Sequence, residues 1–195
     1  MKSTLSSSLF GLIIFIAILP VAEAHTFGAH GAGFAEGLAH PFLGLDHLLA
    51  MLAVGLWAAQ LGGKAKWLAP GAFVSVMAGA ACLALSGVEA MPAMEPAIAI
   101  SVIILGLFVA FSVRLPLQAS VGLIALFAFF HGLAHGMEIP QTASPLVYGI
   151  GFVSATAMLH GIGISLGLAY CRRGSLLSWG GSMIALTGLY LLAVA

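Results

Sequence analysis

Seven histidines are the residues of this chain best able to do chemistry, and nearly all of their neighbours are apolar. His25 and His30 stand near the start. His40 and His47 bracket Pro41, Gly44 and Asp46. His131 and His135 form an i, i+4 pair, and His160 lies between Met158 and Gly161. Side chains at i and i+4 share a helix face, a spacing that lets two imidazoles reach one ion. Glu138 continues the face of His131 and His135 one turn further. On an uninterrupted helix Glu36, His40 and His47 also share a face, with Met51 close to it and Asp46 to one side. Imidazole with carboxylate suits a borderline divalent transition cation such as zinc, copper, nickel, cobalt or iron. It suits magnesium and calcium poorly, since those take mostly oxygen. Affinity order alone does not select among the transition metals.

Each residue also has a plainer reading. A single histidine in a helix is more often a hydrogen-bonded packing residue than a ligand, and His25 and His30 can be ordinary exposed residues. Glu36 and Glu138 can sit at the outer interface. Met51, Met137 and Met158 read as core fillers rather than soft ligands. Gly132, Gly136, Gly161 and Gly163 read as points of close helix packing. The plain reading fails for the histidines as a set. An ionisable group inside a membrane span is costly and usually faces a bundle interior or a cavity.

A membrane is the setting that composition demands. Of 195 residues, 62% are hydrophobic and 6% are charged, against about 25% charged in soluble domains. A soluble fold of this size has too much surface to hide that apolar content. The net charge of zero gives no footprint for nucleic acid. Cys82 and Cys171 show no metal or disulfide spacing and read as small buried hydrophobes.

The expected fold is an all-α membrane protein: a bundle of six transmembrane helices after a cleavable signal peptide at 1–24. Lys2, the apolar run Leu9–Leu19, Pro20 and the small-x-small pattern Ala22-Glu23-Ala24 carry the signal reading. Residues 25–195 then form a single polytopic domain with spans at about 33–61, 67–86, 93–112, 116–137, 145–170 and 175–194. Pro41 removes a backbone hydrogen bond and Gly44 follows, which predicts a kink or partial unwinding near 40–45. Backbone freed at membrane depth must line a cavity or be buried in protein. An exported N-terminus places Lys64, Lys66, Arg114, Arg172 and Arg173 in cytoplasmic loops, and Glu89, Glu95 and Glu138 near the opposite face.

The same stretches resemble the HupE/UreJ family of bacterial nickel and cobalt permeases. The likeness starts at His25-Thr-Phe-Gly-Ala-His30 and centres on His40-Pro41-Phe-Leu-Gly44-Leu-Asp46-His47-Leu-Leu-Ala-Met51. It continues in Phe130-His131-Gly132-Leu-Ala-His135-Gly136 and reaches the fifth span near His160. The resemblance implies a transporter rather than an enzyme, passing Ni²⁺ or Co²⁺ as transported ligand, with no prosthetic group. It implies a bacterial inner membrane location with a periplasmic mature N-terminus. It also implies a supply of metal to a cytoplasmic metallo-enzyme maturation system, whether for hydrogenase, urease or cobalamin. The residues it carries over as metal ligands are His40, Asp46, His47, His131 and His135. His25, His30, Glu36, Glu138 and His160 are second candidates from the residue reading. The partners expected are the divalent cation and the lipid bilayer, with a homo-oligomer left open. Two rival readings use similar residues: an intramembrane metal-dependent hydrolase and a metal-sensing membrane subunit. The sequence has no Walker A pattern, so it offers no site for ATP hydrolysis.

Overall fold

The computed structural model describes residues 33–87, 93–171 and 174–195. The signal peptide, His25, His30, Glu89, Arg172 and Arg173 lie outside the described residues. Among the described residues the fold is all helical, with α1 Phe34–Leu43, α2 Leu45–Leu61, α3 Ala65–Leu85, α4 Met94–Ala110, α5 Leu117–Glu138, α6 Pro145–Tyr170 and α7 Gly174–Val194. Four helices, α3, α5, α6 and α7, are long and apolar enough to cross a membrane. The protein is a multi-pass helical membrane protein.

The kink or partial unwinding expected near 40–45 is a break of the helix: α1 and α2 meet at 84° across Gly44, whose backbone is extended at φ −95 and ψ 122. The helix carries through Pro41 and ends two residues later at Leu43. This break places Glu36 and His40 on a different axis from His47, so the single face expected of an uninterrupted helix does not exist. The third expected span, 93–112, is a helix of 17 residues that ends at Ala110. Ser112 takes φ 50 and turns the chain. At 1.5 Å per residue α4 is about 25 Å long, short of the roughly 30 Å hydrocarbon core.

Glycine sets how the helices meet. A Cβ on Gly132 would strike the Met77 carbonyl and Ala80, and one on Gly136 would strike Ala81 and Ala84, so α5 lies directly on α3. Gly55 meets the His160 carbonyl and Gly163 meets the Leu52 carbonyl, joining α2 to α6. Gly106 and Gly181 meet each other's helices between α4 and α7, and Gly37 and Gly151 do so between α1 and α6. These contacts also give direction. Residue numbers rise together along α3 with α5 and along α2 with α6, and run oppositely along α4 with α7. That is the order an up-and-down chain with short connections produces. Gly161 differs from the expectation: a Cβ there would meet open space, because it lies on the outer side of α6 beside the exposed Met158 and Ile162.

The end of α2 away from Gly44 is tied down by polar bonds. The Trp57 indole N–H donates to the Val113 carbonyl at 2.8 Å, and the Gln60 amide donates to the Val109 carbonyl at 2.9 Å. Outward-facing positions are apolar, with Trp67, Phe111 and Trp179 exposed near the end that carries Lys64 and Arg114. Aromatic rings are favoured at that depth. Cys82 and Cys171 are exposed, not buried as expected. Met137 and Met158 are exposed as well, leaving Met51 as the core filler among the three. In a bilayer the outer surface accepts the same apolar residues as the core, so hydropathy alone does not separate the two.

Replacing Gly132 with Val should lower stability by about 1–3 kcal/mol, the usual cost of overpacking. Gly122→Ala, with open space around its position, should leave stability unchanged or slightly raised. Thermal unfolding of detergent-purified protein, followed by size-exclusion chromatography, measures both. Equal melting temperatures for Gly132→Val and wild type would contradict the close α3–α5 approach.

Candidate metal centre

Three helices converge on one point near the end of the bundle where α5 finishes. α1 delivers His40 from its last turn, α2 delivers His47 from its first turn, and α5 delivers His135 and Glu138 from its last turn. Each of the four offers one ligand atom, and these atoms all lie within 4.8 Å of one another. His40 Nε2 is 3.1 Å from Glu138 Oε2, and His135 Nδ1 is 3.3 Å from the same oxygen. The His47 and His135 rings stand edge to face at 3.8 Å, and the His40 and His135 rings at 5.0 Å. The Gly44 break makes this possible. A straight helix would carry His40 and His47 two turns apart, about 10 Å along one axis. With α1 folded over, their ring centroids are 6.1 Å apart.

The site is buried on one side and open on the other. His47 and His135 have side chains only 7% and 4% exposed, whereas Glu138 is 47% exposed. Phe152 packs 4.1 Å from the His135 ring, and Tyr148 lies 6.0 Å from the His40 ring. Neither ring nitrogen of His135 has a hydrogen-bond partner. The contact with Glu138 is close but not aligned as a hydrogen bond. A buried polar group normally finds a partner, so this imidazole is left with capacity for another one.

The remaining candidates fall around these four. Asp46 Oδ1 is 2.7 Å from His47 Nδ1 and accepts the His47 backbone N–H at 2.8 Å. The side-chain contact is close but not aligned as a hydrogen bond, so Asp46 places a carboxylate beside the His47 ring. His131 is one turn deeper on α5 and fully buried. Its Nδ1–H donates to the Phe127 carbonyl at 2.9 Å, and Nε2 has no partner. It is not among the four clustered residues, although its ring is 5.3 Å from that of His47. His160 is buried away from the four, its ring 5.1 Å from Phe73. Glu36 keeps one buried carboxylate oxygen without a partner, also outside the cluster.

Some neighbours were not singled out as site residues by sequence. Glu95 shares a cavity of about 180 Å³ with Asp46, between α2, α4 and the end of α7. A carboxylate at the mouth of an apolar helix was the available signal. Tyr148, Phe152 and Phe73 wall the histidines, but aromatic residues in apolar runs carry no distinguishing mark. Three imidazoles and a carboxylate, held between apolar walls, have the donor chemistry of a site for a borderline divalent cation.

Residues 13–191 match the family described as HupE / UreJ protein. Protein HupE of Rhizobium leguminosarum bv. viciae is 45% identical over 179 residues, a stretch covering 91% of this chain and 93% of that protein. No solved structure gives a significant match.

Purified protein titrated calorimetrically with Ni²⁺ or Co²⁺ should bind about one ion per chain. Glu138→Gln should weaken that binding at least about tenfold, by analogy with the losses seen when even supporting groups are removed. Glu36→Gln should stay within about twofold of wild type, since its carboxylate lies outside the cluster. Equal affinities for wild type and Glu138→Gln would take the carboxylate out of the site.

Proposed function

The chain belongs to the HupE/UreJ family, and on that premise we propose that it is a permease carrying Ni²⁺ or Co²⁺ across the bacterial inner membrane into the cytoplasm. The observation that carries this reading is the convergence of His40, His47, His135 and Glu138, with ligand atoms within 4.8 Å of one another, at a helix break inside a membrane bundle. Broken helices at membrane depth are tolerated where they line a cavity or are buried in protein, and they are a recurring way to build ion sites in transporters.

The topology proposed with it has six spans. The α1–α2 pair counts as the first and α4 as a short third, following an exported and cleaved N-terminus. Lys64, Lys66 and Arg114 then lie on the cytoplasmic side, with Glu95 and Glu138 on the other. A cation arriving from the periplasm first meets the open rim of the site, formed by His40 and Glu138. It exchanges water for their donors and passes to the buried His47 and His135. Asp46 offsets part of the dehydration cost by its charge. Binding must be firm enough to admit the ion and weak enough to release it. With no nucleotide-binding motif in the sequence, the driving force in this reading is the ion gradient or the membrane potential.

A second reading has one observation in its favour. An apolar cavity of about 540 Å³ opens beside His135, lined by Met77, Tyr148 and Phe152 among others. A zinc hydrolase would need such a substrate groove next to its metal. It would keep its metal through purification and pass none.

Sealed proteoliposomes loaded with a divalent-sensitive dye separate the two. Wild type should admit Ni²⁺ or Co²⁺, and His47→Ala and His131→Ala should each abolish the flux. No influx, with stoichiometric metal retained on the protein, would overturn the permease reading. Imidazole ligates only when deprotonated, so flux should fall as acid protonates the histidine ligands. A flux that stays constant down to the acid limit of the folded protein would count against histidine as the rate-setting ligand.

A further inference from the structure

Deeper in the bundle a second set of imidazole nitrogens has no partner. His131 Nε2 and both ring nitrogens of His160 are buried without a hydrogen bond. His160 is 1% exposed and His131 is fully buried. Both rings neighbour the same aromatic side chain: Phe73 of α3 lies 5.5 Å from the His131 ring and 5.1 Å from that of His160, edge to face at 84° to the latter. Phe73 is itself fully buried. His160 stands eight residues beyond Phe152 on α6, so it is about 12 Å deeper along that helix than the ring that walls the outer site. Its height is fixed, because its backbone carbonyl rests on Gly55 of α2.

We propose that His160 is an inner stopping point for the cation, reached from the outer site by way of His131 and past the ring of Phe73. The proposal rests on the permease reading and adds a second station to it. A histidine kept only for packing would be expected to bond a carbonyl, as His131 does through Nδ1. His160 does not, so its burial costs free energy that an apolar residue of similar size would not. Residues that bear such a cost inside a membrane usually lie on an ion or substrate path. The two stations differ in donors. The outer one has three imidazoles and a carboxylate, whereas no carboxylate lies within hydrogen-bonding or ion-pairing distance of His160 among the described residues. The inner station therefore holds a cation more weakly, as release toward the cytoplasm requires. Phe73, which neighbours both histidine rings, is the apolar side chain that the cation would pass on this path.

The test compares wild type with His160→Leu, using Ni²⁺ as the probe in two assays. Calorimetric titration of detergent-purified protein reads the outer site, and dye-loaded proteoliposomes read flux. His160→Leu should bind Ni²⁺ at the outer site within about twofold of wild type. It should unfold at the same or a higher temperature, because an orphaned polar group has been replaced by an apolar one. Its influx should fall at least about tenfold. Wild-type influx in His160→Leu would overturn the inner station while leaving the permease reading intact. No influx in wild type would instead overturn the permease reading, and the inner station with it. Should His160→Leu fail to assemble, His160→Gln is measured with the same expectation. Misfolding of both variants would show His160 to be a structural residue and would overturn the proposal.

Discussion

Backbone-to-backbone contact at glycine is the constraint on which the rest of this structure depends. Lipid chains are as apolar as leucine, so helices in a bilayer gain little by hiding apolar side chains from them. Close van der Waals packing at small residues supplies the association instead. Four helix pairs are joined in this way: α3 with α5, α2 with α6, α4 with α7 and α1 with α6. The pattern also aims the chemistry. Gly132 and Gly136 each follow a histidine, so the face of α5 that rests on α3 is turned about 100° from the face that carries His131 and His135. Seating the glycines on α3 points the imidazoles toward α2. Gly37 and Gly151 do the same for α1, holding the displaced half of the broken span against α6 so that His40 reaches the others.

Electrostatics explains why the charged donors sit at one end. Asp46 begins α2, Glu95 begins α4 and Glu138 ends α5, all at the same end of the bundle. The deeper positions carry neutral-capable imidazoles instead. A lone carboxylate at membrane depth would need a permanent partner, whereas a neutral imidazole only loses a hydrogen bond. Side-chain chemistry therefore grades with depth, from carboxylate and imidazole at the rim to imidazole alone beside Phe73.

The sequence makes the class of the fold plain, and only part of the site. Hydropathy marks the long helices, because a run of about 20 apolar residues is the length that crosses a hydrocarbon core, but it runs α1 and α2 together. The histidines, costly residues to find in such runs, mark the neighbourhood of the site. Pro41 and Gly44 mark a disturbance but not an 84° fold. That angle depends on α1 docking against Tyr148 and Phe152 more than a hundred residues away. Helical periodicity places His131, His135 and Glu138 on one face, yet it does not say which neighbours lie at each depth. His135 and Glu138 find His40 and His47, while His131 finds Phe73. Periodicity equally fails to separate Gly163, which touches α2, from Gly161, which touches nothing. The inside and outside of a membrane bundle are both apolar, and only contacts tell them apart.

The imidazoles of the outer cluster belong to helices that are held in different ways. His47 rides on a helix pinned at its far end by the Trp57 and Gln60 bonds and flanked by α6. His135 rides on a helix seated along α3. His40 alone sits on a ten-residue helix that meets α2 through one extended glycine and is held against α6 at Gly37 and Gly151. Moving that donor means parting the α1–α6 backbone contact, not merely turning about Gly44. The break thus makes the placing of one imidazole depend on packing between segments more than a hundred residues apart.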